Sequence, residues 1–137
     1  MWTRFMDMHS GGSRKLKWAY IYIEAPEAGA KVIFYNMFNR SPDRVTCTCC
    51  GPDYSIDSAK SLAQVTGFDR NCDNKGEKYI EKPRQMYTLP GARKAYYTLI
   101  PLRKYIMQKE VLVIYKSAIK AKDRIGSVPD EGYHWID

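Results

Sequence analysis

The residues best suited to chemistry in this chain are its four cysteines, and all of them fall between Cys47 and Cys72. Cys47-Thr48-Cys49-Cys50-Gly51 contains a C-x-x-C pair, Cys47 and Cys50, with glycine directly after it. A tight turn of this kind aims two thiolates at one point, and the glycine permits a positive φ there. Cys72 supplies a third thiolate from a distant segment, so the spacing predicts a zinc knuckle. A tetrahedral ion needs a fourth ligand. Three residues compete for that place. Cys49 is nearest, but the turn is expected to point it away. His9 lies on a glycine-flanked segment able to fold back. Asp69, in a D-x-x-C arrangement with Cys72, ranks below both. Free thiols packed as small hydrophobes are the plain alternative. Disulfides fit poorly, because cysteines this crowded rarely meet disulfide geometry.

The elements that must position these thiols can be read from periodicity. Trp18 to Glu24 alternates, with Ala19, Ile21 and Ile23 on one side and Tyr20, Tyr22 and Glu24 on the other, which predicts a strand. Ala25-Pro26-Glu27 opens a helix whose apolar face is Ala30, Ile33, Phe34, Met37 and Phe38. Asn39 to Asp43 ends it. Asp57 or Ser58 is expected to cap a short helix over about 59–66, stopped by Gly67. Residues 77–81 form a strand candidate, and 82–92, with Pro83, Pro90 and Gly91, read as a loop. Thr98 is placed as the cap of a helix carrying Pro101 in its first turn, with Leu102, Tyr105, Ile106 and Lys109 on one side. Val111 to Ile114 reads as a buried central strand. Tyr133 to Ile136 is a candidate final strand. Ser10-Gly11-Gly12-Ser13 reads as a flexible break, and no strand–Gly-loop–helix pattern surrounds it to make a phosphate loop. The expected fold is α+β: one domain over residues 1–137, a mostly antiparallel sheet covered by helices, with the knuckle subregion at 45–72.

Composition bounds the function. At 137 residues the chain suits one domain. Hydrophobic content of 45% and eleven tyrosines indicate a folded protein. No apolar run reaches membrane-spanning length, and the N-terminal residues lack the apolar segment of a signal peptide. A reducing cytoplasm is therefore expected, which favours thiolate–metal chemistry over disulfides. The net charge of +7 points to an anionic partner. Arg93, Lys94, Tyr96, Tyr97, Arg103, Lys104 and Lys109 form the basic, aromatic stretch expected to meet it. That partner is a host protein or nucleoprotein, or nucleic acid bound directly. With two histidines and neither H-E-x-x-H nor a deaminase pattern, the expected zinc is structural and the protein is not an enzyme.

Three stretches together resemble a family of small proteins encoded by bacteriophages and prophages. They are Met1-Trp2-Thr3-Arg4-Phe5-Met6-Asp7-Met8-His9-Ser10-Gly11-Gly12, then Tyr22-Ile23-Glu24-Ala25-Pro26-Glu27, then Cys47-Thr48-Cys49-Cys50-Gly51 with Tyr54-Ser55. The likeness continues through Thr66-Gly67 to Cys72 and returns at Val111 to Ile114. In that family a histidine often stands where this chain has Asp69. The resemblance implies an accessory protein made in the cytoplasm of a bacterial host, of the kind that antagonises host defence, anti-CRISPR inhibitors included.

Overall fold

The computed structural model describes residues 1–67, 79–89 and 92–129, with 79–89 and 92–101 described by their backbone. A four-stranded sheet has the order β3-β1-β2-β6, built from β1 (Trp2–Asp7), β2 (Tyr20–Ile23), β3 (Tyr54–Ala59) and β6 (Val111–Ile114). β1 pairs antiparallel with both β2 and β3, and β2 pairs parallel with β6. A separate antiparallel ribbon joins β4 (Tyr79–Leu89) and β5 (Ala92–Pro101). The helices are α1 (Glu27–Phe38), α2 (Leu62–Thr66) and α3 (Leu102–Tyr105). The class is α+β, with a mostly antiparallel main sheet.

The alternation of β2 divides the core. Ile21 and Ile23 join Phe5, Tyr54 and the α1 residues Ala30, Ile33 and Phe34. Tyr22, on the other face, joins Trp2, Val65, Tyr105 and Val111. β2 is therefore covered on both faces, which explains why its outward tyrosines are aromatic and not charged. The Tyr22 and Tyr105 hydroxyls meet at 2.8 Å, so two buried polar groups satisfy one another. Burial pushes the Tyr22 phenol up to about 12, a rise its hydrogen bond to Tyr105 partly offsets. Tyr105 is also raised, first by burial and then by Tyr22.

α1 begins after Pro26, whose φ of −65° suits the entry to a helix, and ends at Asn39, left-handed at φ 53°. Its face lies on the sheet as expected, with Phe34 fully buried. Met37 departs from the pattern at 40% exposure. In the last turn, Trp18 packs on Phe38 with ring centroids 5.8 Å apart, and Met37 is left at the rim.

Several sequence expectations need correction. β6 is an edge strand of the four-stranded sheet, not a central one. Residues 79–89 form a strand despite Pro83. A two-stranded ribbon tolerates proline, because each strand keeps an outer edge needing no ladder donor. Thr98 sits within β5, opposite Lys82, and caps no helix. The helix after it is only Leu102–Tyr105, yet Leu102, Tyr105 and Ile106 do share one core cluster. Asp57 and Ser58 pair with Arg4 and Thr3 inside β3. The cap of α2 is Ser61, whose side chain accepts from the Gln64 N–H, and Gly67 closes the helix at φ 85°. Tyr133 to Ile136 lies outside the described residues.

Candidate metal centre

The knuckle hangs between α1 and β3, and its shape follows from one short turn. The Cys50 and Gly51 N–H groups both donate to the Cys47 carbonyl, at 3.2 and 3.1 Å. Gly51 has φ +86°, the left-handed conformation that glycine adopts without steric cost. The entry is tied by Asp53, which is fully buried. Its carboxylate accepts from the Thr46 N–H and the Thr46 hydroxyl, both at 2.8 Å. Its own N–H donates to the Arg44 carbonyl, and its carbonyl accepts from Met8 N–H.

The N-terminal loop completes the cradle. The Asp7 carboxylate accepts from the His9 and Lys15 N–H groups, each at 2.7 Å, and so folds residues 8–15 into a compact turn. Ser10 is fully buried against the knuckle. Its hydroxyl accepts from Cys47 N–H at 3.0 Å and donates to the Gly51 carbonyl at 3.0 Å. Gly11 is left-handed at φ +77°, and a Cβ there would stand 3.2 Å from the Thr46 methyl. Only glycine meets both conditions without displacing the neighbour. The Ser10–Ser13 stretch, expected as a flexible break, is thus a docked turn.

This scaffold gathers three thiols. The Cys47, Cys49 and Cys50 sulfurs all lie within 4.8 Å of one another, close enough to hold a metal ion. Cys47 Sγ is 2.9 Å from Cys49 Sγ, which is 3.9 Å from Cys50 Sγ. The expectation that the turn points Cys49 away is therefore corrected. The four-residue curve is tight enough to turn all three side chains to one side. Cys49 and Cys50 are exposed and Cys47 is half-buried. The Cys47 thiol is drawn down to about 7, first by the Cys49 thiol, then by the Cys50 thiol and the backbone N–H groups of both. The same contacts hold the Cys49 proton, first through Cys47 and then through Cys50, and push that thiol up to about 11. The lowered Cys47 thiol favours the thiolate form that metal binding requires. Among the described residues the group is three soft sulfur donors without a carboxylate, which suits a thiophilic ion better than magnesium or calcium.

His9 is brought to the knuckle by its neighbour Ser10, but it is exposed and stands outside the group of converging ligand atoms. Cys72 and Asp69 lie outside the described residues. The basic stretch is divided between elements. By backbone register Arg93, Lys94, Tyr96 and Tyr97 fall on β5, opposite Tyr87, Met86, Arg84 and Pro83. Arg103 and Lys104 are exposed on α3, and Lys109 is exposed beyond it. Sequence reasoning missed Asp53, Ser10 and Asp7, the residues that hold the knuckle. The available signal was modest: Asp53 follows Gly51-Pro52, and Asp7 precedes a glycine turn, both positions where a short carboxylate hydrogen-bonds local backbone.

No protein-family model matches the chain, and no curated protein or solved structure matches it. Among the described residues, no helix is long and apolar enough to cross a membrane.

Proposed function

We propose that this is a zinc-stabilised, non-enzymatic interaction protein of phage origin that binds and inhibits a host target. In its sharpest form it is an anti-CRISPR or other anti-defence inhibitor. The observation that carries the metal half is the convergence of three thiols on a turn already fixed by Ser10 and Asp53. Cys47 and Cys50 would hold zinc with Cys72, completed by Cys49 or His9. Bonds made only when these ligands converge would contribute to folding of the knuckle. The partner half is supported by the net charge of +7 and by the exposed Arg103, Lys104 and Lys109. Such charge speeds association with an anionic surface, less so at high salt. The phage origin and the defence target rest on the resemblance of the three sequence stretches.

Elemental analysis of protein purified without added metal tests the first half. About one zinc per chain is expected from a single closed site. Zinc near zero, with stability unchanged in chelator, would remove it. The second half is tested by plaque formation on hosts carrying defined CRISPR types. Arg103→Glu with Lys104→Glu should weaken inhibition at unchanged thermal stability, and full retention would mean the charges are merely solvated. Steep salt-dependent gel shifts on bare DNA would favour direct nucleic-acid binding instead.

A further inference from the structure

We propose that Cys47, Cys49 and Cys50 form a self-contained three-thiolate site for a soft ion, monovalent copper, that does not require Cys72. This rests on the reading that the knuckle thiols bind metal, but it assigns a different ligand set and a different ion. Cys49 makes the difference. It lies 2.9 Å from the Cys47 sulfur and 3.9 Å from the Cys50 sulfur, and so stands between the two ends of the C-x-x-C pair. In a two-thiolate knuckle the intervening residue has no ligand role. Here it is the centre of the group.

The geometry fits three-coordination. Sulfurs about 2.3 Å from a central ion, spread in a plane, stand about 4 Å from one another. The Cys49–Cys50 separation of 3.9 Å already has that value. The Cys47–Cys49 pair needs to open by about 1 Å, a small rotamer adjustment for exposed side chains on a fixed backbone. Ser10 and Asp53 hold that backbone through the Cys47 N–H, the Gly51 carbonyl and Thr46. No ligand from a distant segment has to arrive to complete the three sulfurs.

The donor set decides the ion. Thiolates select monovalent copper and zinc, while carboxylates and water suit hard cations. Zinc in a closed site asks for four ligands, whereas a closed-shell monovalent ion is satisfied by three sulfurs. Each thiol gives its proton to solvent on binding. Because Cys49 and Cys50 are exposed, copper can arrive by exchange from another thiol complex in solution.

The test uses the full chain, reduced and anaerobic. Cuprous ion is titrated in competition with bicinchoninate, for wild type, Cys49→Ser and Cys72→Ser, with zinc content read on the same preparations. One copper per chain is expected, with unchanged affinity in Cys72→Ser. Cys49→Ser should weaken binding by more than about a hundredfold, since outer-shell groups alone are worth about 10–100-fold. Unchanged affinity in Cys49→Ser, or an equal loss in Cys72→Ser, overturns the proposal. Alkylation of wild type read by mass spectrometry needs no variant. Copper should shield Cys47, Cys49 and Cys50 and leave the rate at Cys72 unaltered, and failure to shield Cys49 overturns the site. Absent zinc with copper bound as described removes the zinc reading and leaves this one. Bound zinc with no copper does the reverse.

Discussion

Around Phe34, side chains meet with little polar chemistry between them. Its ring lies 4.7 Å from that of Phe5, 4.9 Å from Phe38 and 5.1 Å from Tyr54. Around Cys47, only thirteen residues further along, the ordering contacts are nearly all hydrogen bonds, from Ser10, Asp53 and the turn itself. Burial of a large apolar side chain contributes about 1.5–3 kcal/mol, and a hydrogen bond contributes net about 0.5–1.5 kcal/mol. The first region is therefore stable by what it hides from water. The second is a preorganised turn with modest stability of its own, the condition under which a bound ion adds most. The two lessons differ for mutation: the sheet core is sensitive to volume, the knuckle to the loss of single acceptors.

The comparison is broken most forcefully at Phe34. Phe34→Ala should lower unfolding stability by about 3–5 kcal/mol in urea titrations, by the same amount with and without chelator. A loss that depends on chelator would mean that core packing and the metal site are energetically coupled. Removing metal acts on the other region. With free zinc at about 100 times its dissociation constant, chelation should cost about 2.7 kcal/mol and lower the melting temperature, and Cys50→Ser should reproduce the drop without chelator. Asp53→Ala removes the buried acceptor that ties the Thr46 N–H and hydroxyl and should cost about 1–3 kcal/mol, accompanied by faster alkylation of Cys47. Asp53→Ala with unchanged alkylation would show that the turn holds its shape without its acceptor. The last effect is invisible at neutral pH. Tyr22 keeps its proton to about 12 in the fold, against 10.0 when unfolded. An acid raised on folding stabilises the protein fully below the unfolded value and loses that contribution as pH rises from about 10 towards 12. Denaturation midpoints should fall over that interval, and Tyr22→Phe should flatten the fall.

The legible parts of the sequence were those where one force dominates. β2 and the α1 stripe of Ala30, Ile33 and Phe34 are ordered by burial, and burial writes a period. β1 was missed because Thr3 and Asp7 occupy buried positions. Thr3 does so by donating to the Ala25 carbonyl and sharing a hydrogen bond with Ser58, so a polar residue interrupts the expected alternation. The C-x-x-C pair was legible from spacing. Cys49 was legible only as a candidate level with His9, because its direction depends on the backbone of a turn held by Ser10, far off in the chain. Residues 82–92 were read as a loop on the strength of Pro83, Pro90 and Gly91, but Pro83, a residue that breaks central strands, is tolerated in a pair.

The parallel pairing of β2 with β6 has a consequence for the order of synthesis. β1 and β2 can pair as soon as residue 23 has left the ribosome, because only residues 8–19 separate them. β6 is made after α1, the knuckle and the ribbon, so the apolar outer edge of β2 waits for nearly the whole chain. Contacts this distant in sequence form slowly, because the intervening chain must be closed first. During that wait Tyr20 to Ile23, paired with β1 on one side, leaves its other edge open, the kind of edge on which nascent chains associate with one another. Yield of soluble protein should therefore respond to expression rate and temperature more than the finished fold would suggest.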